Sequence, residues 1–430
     1  MSSPKPVPAE PTKTITREPH SAFSALQYRD FRLYWVGQIV SVTGSQMQLV
    51  AINWHVYLLT KSPLALGAVG LVRVIPIVLC SLLGGLVADA FDRKRLMLIT
   101  QTVMLLSAGV LAMITASGLQ DVWPIYLLTA IASAATAFDN PARQALLPAL
   151  VPAEVFTNAV SLGLLALHVS MICGPALAGV ILSGLGPALV YALNALSFLA
   201  VIAAVILMRA SGRVDERANE AKRVSLSALR EGLSFVWRTP IIVQTMTLDF
   251  VATFFASATA LLPIFAAEIL HVGAGGLGVL AAAPAVGSVI AAFAMARMGA
   301  VRRQGATVIA AIGVYGAATV AFGLSKVFWL SFLMLALVGA ADTVSTVLRQ
   351  TIRQLVTPNH LRGRMTSVNM IFFMGGPQLG ELEAGVVARF IGAPLSVVTG
   401  GVGCLIAVII AAQRATNLLN YGNSSEQQEH

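Results

Sequence analysis

Charged residues are scarce in this chain. Asp, Glu, Lys and Arg make up 11% of its 430 residues, while 57% are hydrophobic. A soluble globular protein carries roughly 25% charged residues, so the composition excludes an ordinary soluble domain and indicates a protein that lies in a membrane over most of its length. A membrane-spanning helix needs about 20 apolar residues, and the chain has room for about a dozen.

Cysteines and catalytic motifs are also scarce. Cys80, Cys173 and Cys404 lie in apolar stretches without metal-like spacing, and they indicate small core residues rather than a disulfide or a metal site. The sequence has no zinc-binding spacing, Gly-x-Ser-x-Gly turn or phosphate-binding loop. We therefore expect neither an enzyme nor a bound metal or organic cofactor.

Twelve apolar windows predict twelve transmembrane helices, and a charge-rich stretch after the sixth divides them into two six-helix bundles. The polar first segment lacks the apolar core of a cleavable signal peptide and is expected to be a flexible tail. The predicted organisation is a tail at 1–30, a first bundle at 31–209, a linker with an amphipathic segment at 210–239, a second bundle at 240–413 and a tail at 414–430.

Lys and Arg are distributed unevenly around these predicted spans. Of the 28 basic residues, 24 lie on the side of the chain ends, three lie at the opposite ends of spans and Arg73 lies within a span. Because basic residues concentrate on the cytoplasmic side, both termini are predicted to be cytoplasmic in a bacterial plasma membrane. The net charge of +9 follows from this asymmetry, and we expect no nucleic-acid partner.

The two halves of the chain repeat at a shift of 206 residues. This shift aligns RQALLPALVP, from Arg143, with RQTIRQLVTP, from Arg349, and GPALAG at 174–179 with GELEAG at 380–385. Chance similarity between two segments rich in small residues is the alternative. A parallel duplication predicts an all-α integral membrane protein in which two pseudo-symmetric six-helix bundles surround a central cavity.

The stretch GGLVADAFDRKR at 84–95 resembles the signature loop of the major facilitator superfamily. Gly85, Asp89 and Arg93 occupy its spaced Gly, Asp and Arg positions, whereas Ala90 departs from it. The runs YRDFRLYWVGQIVSVTG, SPLALG and FDNPAR resemble the branch that contains enterobactin-type siderophore exporters and multidrug exporters. The resemblance covers the whole chain and implies a monomeric transporter that works by alternating access on a small molecule in the bilayer.

The resemblance also implies a cytoplasmic gate made by Gly85, Asp89, Arg93 and Asp139. Asp89 would face the positive N-terminus of helix eleven, and Arg93 would pair with Asp139 at the end of helix four. The alternative is that the basic loop only sets the orientation of the chain. In helix five, a second motif resembles the Gly-Pro signature of exporters and favours antiport; its residues are Gly163, Gly174, Pro175 and Gly179.

Four acids lie inside predicted spans, namely Asp249, Asp342, Glu381 and Glu383. A charge at the bilayer centre costs about 2.5–3.5 kcal/mol on insertion scales, so each is expected to face a cavity or a partner. Asp249 is a candidate for proton or cation binding, with a structural ion pair as its alternative. Asp342 lies seven residues before Arg349 on the same helix face, which favours an ion pair between them over a role in substrate binding.

Glu381 and Glu383 lie two residues apart in helix eleven and point roughly 200° apart, so we expect them to differ in role. The resemblance places helix two beside helix eleven, where one of the two glutamates could pair with Arg73. Protonation of that glutamate would weaken the pair and couple a proton to the conformational change, unless the pair is a static one. His168 in helix five is a candidate proton relay, with an interhelical hydrogen bond as its alternative.

The function expected from these residues is proton-coupled export of amphiphilic or cationic small molecules by an antiporter, with the proton as coupling ion. A siderophore would be anionic and would require basic residues in the cavity, whereas Arg73 is the one basic residue within a span. A siderophore exporter or lysophospholipid flippase of the same fold and a non-transporting membrane receptor remain the alternatives.

Overall fold

The computed structural model describes residues 23–118, 121–210, 233–257, 259–299, 301–358, 361–419 and 421. It does not describe the side chains of residues 81–90, nor several of those between 363 and 374. Within the described ranges, all regular secondary structure is helical. The all-α fold predicted from composition is therefore confirmed, while most of the predicted linker at 210–239 lies outside the described residues.

Within the described residues, twelve long helical stretches follow one another in the predicted order. The seventh consists of two pieces, α7 at Pro240–Phe255 and, after a break, residues 259–269, which we call α7b. α7b contains a 3₁₀ turn, one α-helical turn and a π-helical turn. A short helix α13 follows the last. The helices are α1 Arg29–Thr60, α2 Pro63–Ala90, α3 Arg93–Ala116, α4 Trp123–Leu146, α5 Phe156–Gly184, α6 Gly186–Leu207, α7 Pro240–Phe255, α8 Gly273–Met298, α9 Gln304–Leu324, α10 Phe328–Val356, α11 Arg362–Ile391, α12 Ala393–Arg414 and α13 Thr416–Leu419.

Nine stretches of the described chain are long and apolar enough to cross a membrane. The other three, α1, α4 and α11, carry polar residues within their length. Examples are Gln46 in α1, Asp139 in α4 and Glu381 in α11, and these residues lower the hydropathy of their helices. That these three helices also cross the membrane stays a prediction from the order and lengths of the elements.

The surface of the helices supports a membrane setting. In α3, Ile99, Leu106 and Met113 recur every seven residues and are 62%, 58% and 65% exposed. Residues seven apart lie on nearly the same face of a helix, so these side chains form an apolar stripe that faces outward. In water such a stripe would be costly, whereas lipid chains cover it without penalty.

The sequence repeat has a counterpart in helix packing. Gly174 of α5 lies against α1 at Thr43, and Gly380 of α11, its equivalent at the shift of 206, lies against α7 at Phe254. Gly179 and Gly385, which are also equivalent at this shift, are helix contacts too: Gly179 packs on α8 and Gly385 packs on α2. The aligned small residues therefore serve as equivalent helix contacts in the two bundles.

Among the side chains that the structure describes, the two bundles share a core in one half of their length. We call the face at which α1 begins the terminal face and the opposite one the distal face. Buried apolar residues of the distal half, including Tyr191 and Phe322, form one core that runs through both bundles. In the terminal half each bundle has a core of its own, around Phe31 in the first and Ile352 in the second. The protein is therefore closed toward its distal face.

Candidate transport cavity and its charged residues

A cavity of about 220 Å³ lies between the bundles under the distal core. Its polar groups come from Gln46 and Asn53 of α1, Thr259 of α7b and Glu381 of α11. Among the described lining residues, Glu381 alone has an ionisable side chain. The remaining lining residues are apolar: Leu49, Val50, Met171, Pro175, Leu262, Pro263, Leu277, Ala281, Pro284 and Ala285.

Glu381 is held where α2, α7b and α11 meet. Thr259 Oγ1 donates a hydrogen bond to Glu381 Oε1 at 3.4 Å. The carboxylate lies against Gly70 of α2, where an added Cβ would be 2.8 Å from Oε2. Arg73 lies three residues after Gly70 in α2, about one helical turn away. The structure thus places Glu381 against the part of α2 that carries Arg73, and the ion pair between them stays a prediction.

Glu383 is partly buried and is not among the residues that line the cavity. At the shift of 206 residues its equivalent is Leu177, an outward-facing residue that is 48% exposed. Glu381 has Pro175 as its equivalent, and both line the cavity. The two glutamates therefore lie in different surroundings, and the expectation that they differ in role stays a prediction.

The break between α7 and α7b lies directly beside Glu381. Ser257 Oγ in the break donates a hydrogen bond to the Pro377 carbonyl oxygen of α11 at 3.1 Å, and Thr259 follows at the start of α7b. α11 itself continues as one helix through Pro377. Sequence analysis missed the break, for which Pro263 near the start of the new helical turn is the available signal.

A buried ion-pair cluster lies in the terminal half of the second bundle. Arg349 Nη2 is 2.7 Å from Asp249 Oδ1 and 3.9 Å from Asp342 Oδ1, and it donates to Thr346 Oγ1 at 2.9 Å. Asp249 and Arg349 are 3% and 1% exposed, whereas 46% of the Asp342 side chain is exposed. The alternative of a structural ion pair is therefore the one that the geometry favours for Asp249.

The first bundle has a comparable cluster, which includes a residue of the predicted gate. Asp139 is buried, forms an ion pair with Arg143 and accepts hydrogen bonds from Thr100 Oγ1 at 2.7 Å and Gln101 Nε2 at 3.0 Å. Arg143 also donates to Gln38. Arg143 and Arg349 are equivalent at the shift of 206 residues, whereas their carboxylate partners are not, because Asp139 aligns with Ser345 and Asp249 aligns with Thr43.

The contact predicted between Arg93 and Asp139 is not formed in this conformation. Arg93 Nη1 donates instead to the Ala145 carbonyl oxygen at 2.9 Å. Ala145 lies six residues after Asp139 on α4, about 9 Å farther toward the terminal face, and Asp139 is already paired with Arg143. The side chain of Asp89 and the surroundings of Gly85 lie outside the described part of the chain, so the gate stays a prediction.

The residues of the Gly-Pro motif divide into two groups. Pro175 lines the cavity, and Gly174 and Gly179 make close helix contacts; a Cβ at Gly179 would come within 2.9 Å of the Gly275 carbonyl oxygen. Gly163 has open space around its Cα. The first three residues therefore contribute to the cavity wall and to packing, and Gly163 makes no comparable contact.

These contacts predict different effects for two matched substitutions in α5. Gly179→Ala should loosen the contact with α8 and shift the population toward a distally open state, because backbone atoms of α8 occupy the space that the methyl group needs. Gly163→Ala should behave as wild type. The measurement is the rate at which a thiol reagent added from outside modifies Leu262→Cys in the cavity wall. Equal rates in both variants would contradict the assignment of Gly179 to this contact.

A hydrogen bond between the bundles was not foreseen from the sequence. Tyr57 Oη at the distal end of α1 donates to Glu268 Oε1 of α7b at 2.8 Å. Lys61 Nζ lies 4.1 Å from the centroid of the Tyr57 ring, in cation–π range. The two residues are 211 positions apart in the chain, so no local sequence pattern indicates that they meet.

The sequence is similar to a known protein family and to known exporters. Residues 20–428 match the family described as transmembrane secretion effector. The chain is 25% identical to the multidrug efflux pump Tap of Mycolicibacterium fortuitum, over 80% of this chain and 86% of that protein. It is 23% identical to the enterobactin exporter EntS of Citrobacter koseri, over 88% and 90%.

A solved structure shares the fold at low sequence identity. It is a bacterial homolog of the human lysosomal transporter Spinster in an inward-facing and unoccupied conformation. The TM-score is 0.71 at 14% identity, and the match covers 92% of this chain and 98% of that one. At this identity the likeness shows the arrangement of helices and nothing of the substrate.

Proposed function

Because the chain belongs to the transmembrane secretion effector family of the major facilitator superfamily, we propose that it is a proton-coupled exporter of amphiphilic or cationic small molecules. Family membership makes it a multi-pass membrane transporter of a small molecule and not an enzyme, as the sequence predicted. The direction of transport, proton coupling and the substrate class do not follow from family membership. We base them on the cavity and on the names of the relatives.

The observation that carries the proposal is a single carboxylate in an apolar cavity. Glu381 is the ionisable residue among the described lining groups, and a charge in such surroundings interacts more strongly with a bound ion than it would in water. An organic cation with apolar substituents complements both the acid and the walls. An anionic catecholate would meet repulsion from Glu381, so the cavity favours the substrate type of a multidrug pump over that of an enterobactin exporter.

Proton coupling follows from competition at the same carboxylate. In the distally closed state, a cation that enters from the terminal face, which the charge distribution predicts to be cytoplasmic, binds ionised Glu381. Opening of the distal face separates α5 from α8 and α2 from α11 and breaks the bond between Tyr57 and Glu268. A proton from the outer solution then neutralises Glu381 and releases the cation. Because linkage is reciprocal, a bound cation must equally favour loss of that proton.

A transport assay tests this proposal. Purified protein in liposomes is given an imposed pH gradient, with ethidium as the cation and pyranine as a reporter of proton movement. We expect ethidium to accumulate on the more acidic side while protons move in the opposite direction. Ethidium that only equilibrates, without proton movement, would indicate uncoupled transport, and binding without flux would indicate a receptor.

A further inference from the structure

His168 is a partly buried titratable residue that has no role in the proposed mechanism. Its Nδ1 atom is buried and has no hydrogen-bond partner among the residues that the structure describes. The other polar side chains in this part of α5 have partners. Ser161 Oγ donates to the Thr157 carbonyl oxygen at 2.9 Å, and Ser170 Oγ accepts from Thr43 Oγ1 at 2.9 Å. An unpaired buried polar atom costs about 1–3 kcal/mol, so the nitrogen of His168 calls for an explanation.

The position of His168 on its helix places it below the cavity. Residues seven apart on an α-helix differ by about 20° in direction, so His168 lies on the same face of α5 as Pro175. Met171, one turn from His168, is on that face as well, and both Met171 and Pro175 line the cavity. His168 therefore lies about 10 Å nearer to the terminal face than Pro175, on the side from which the substrate enters.

The chemistry of the imidazole suits a second contact with the same substrate. A neutral imidazole has one nitrogen that donates and one that accepts, and its tautomer adapts to the partner. The opposite end of the site carries the acid Glu381 and the hydroxyl of Thr259, while the walls between them are apolar. A molecule with a cationic centre and a separate carbonyl, ether or hydroxyl group could satisfy Glu381 and His168 together.

We propose that His168 is a specificity-determining residue that hydrogen-bonds an uncharged polar group of the cationic substrate. This inference rests on the proposed function, because it needs a cation at Glu381. It predicts that substrates with a hydrogen-bonding group bind more tightly than equally charged substrates without one. Removal of the imidazole should abolish that preference and leave the contribution of the charge unchanged.

Two probe cations separate these contributions in purified, detergent-solubilised full-length protein. Tetraphenylphosphonium has a charge and no hydrogen-bonding group, whereas rhodamine 6G has a charge and an ester carbonyl. By isothermal titration calorimetry, His168→Leu should raise the Kd for rhodamine 6G about 5- to 10-fold, as expected for one lost hydrogen bond. Its Kd for tetraphenylphosphonium should stay within about twofold, and His168→Gln should restore much of the rhodamine 6G affinity.

Each other outcome has a distinct meaning. Unchanged affinity of His168→Leu for both cations would overturn the inference and leave the proposed function intact. Equal weakening of both would assign His168 to the packing of α5 and would also overturn it. Wild-type protein that binds neither cation would overturn the proposed function itself, and the inference with it. Thermal midpoints of the variants, measured alongside, show whether the substituted proteins are folded.

Discussion

Glu381→Gln is expected to abolish proton-coupled ethidium transport. The substitution keeps the size of the side chain and removes the one ionisable group among the described cavity-lining residues. A hydrogen bond to a charged group contributes about 1.5–3 kcal/mol, so the affinity for a monovalent organic cation should fall about 10- to 100-fold. Cation binding should no longer release a proton, because the competing carboxylate is gone.

The matched control for this substitution is Glu383→Gln in the same helix. It makes the same chemical change two residues away, at a position that does not line the cavity, and it should retain coupled transport. The measurement is proton release from solubilised protein when tetraphenylphosphonium is added, followed by the liposome assay. Retained release in Glu381→Gln, or its loss in Glu383→Gln alone, would show that a different acid carries the proton.

The contact of Glu381 with α2 at Gly70 adds a second consequence. If Arg73 pairs with Glu381 as the sequence predicts, Glu381→Gln removes the negative charge of that pair and should weaken the distal contact between α2 and α11. The variant should therefore show faster modification of Leu262→Cys from outside than wild type. A static pair that only holds the helices together would give this effect without any change in proton release.

Arg349→Leu is expected to destabilise the protein by about 3–5 kcal/mol, the usual effect of removing one member of a buried ion pair. The substitution leaves Asp249, which is 3% exposed, without the guanidinium that lies 2.7 Å away. An unpaired carboxylate in this position has no water to solvate it. The measurement is the thermal midpoint of solubilised protein followed by size-exclusion chromatography.

Three companion variants make this prediction specific. The double variant Asp249→Leu and Arg349→Leu should recover much of the lost stability, because it removes both charges. Asp249→Asn should have a milder effect than Arg349→Leu, since Asp342 remains 3.9 Å from Arg349. Asp342→Asn should have the smallest effect, because its side chain is half-exposed. A wild-type midpoint in Arg349→Leu, or the reverse order among the variants, would contradict a structural role for the pair.

Asp249 shows that the position of a residue along a helix predicts its depth in the membrane but not its function. Its distance from the start of α7 places it deep in the membrane, which fits proton binding and a structural ion pair equally well. The partner that distinguishes them, Arg349, is one hundred residues away on α10. Asp139 gives the same lesson, because the sequence resemblance implied Arg93 as its partner while the structure has Arg143, four residues along the same helix.

The sequence by itself determined three features of this protein: an all-helical membrane transporter fold, an internal duplication and the superfamily. It could do so because composition, the length of apolar runs and motif spacing are local properties of the chain. It could not determine which acid faces the cavity, where the seventh helix breaks or how the bundles close distally. Those features depend on the rotation of each helix, and in a membrane both faces of a helix are apolar, so periodicity gives little information on rotation. Only tertiary packing placed Glu381 against Gly70 and Thr259 and buried Asp249 against Arg349.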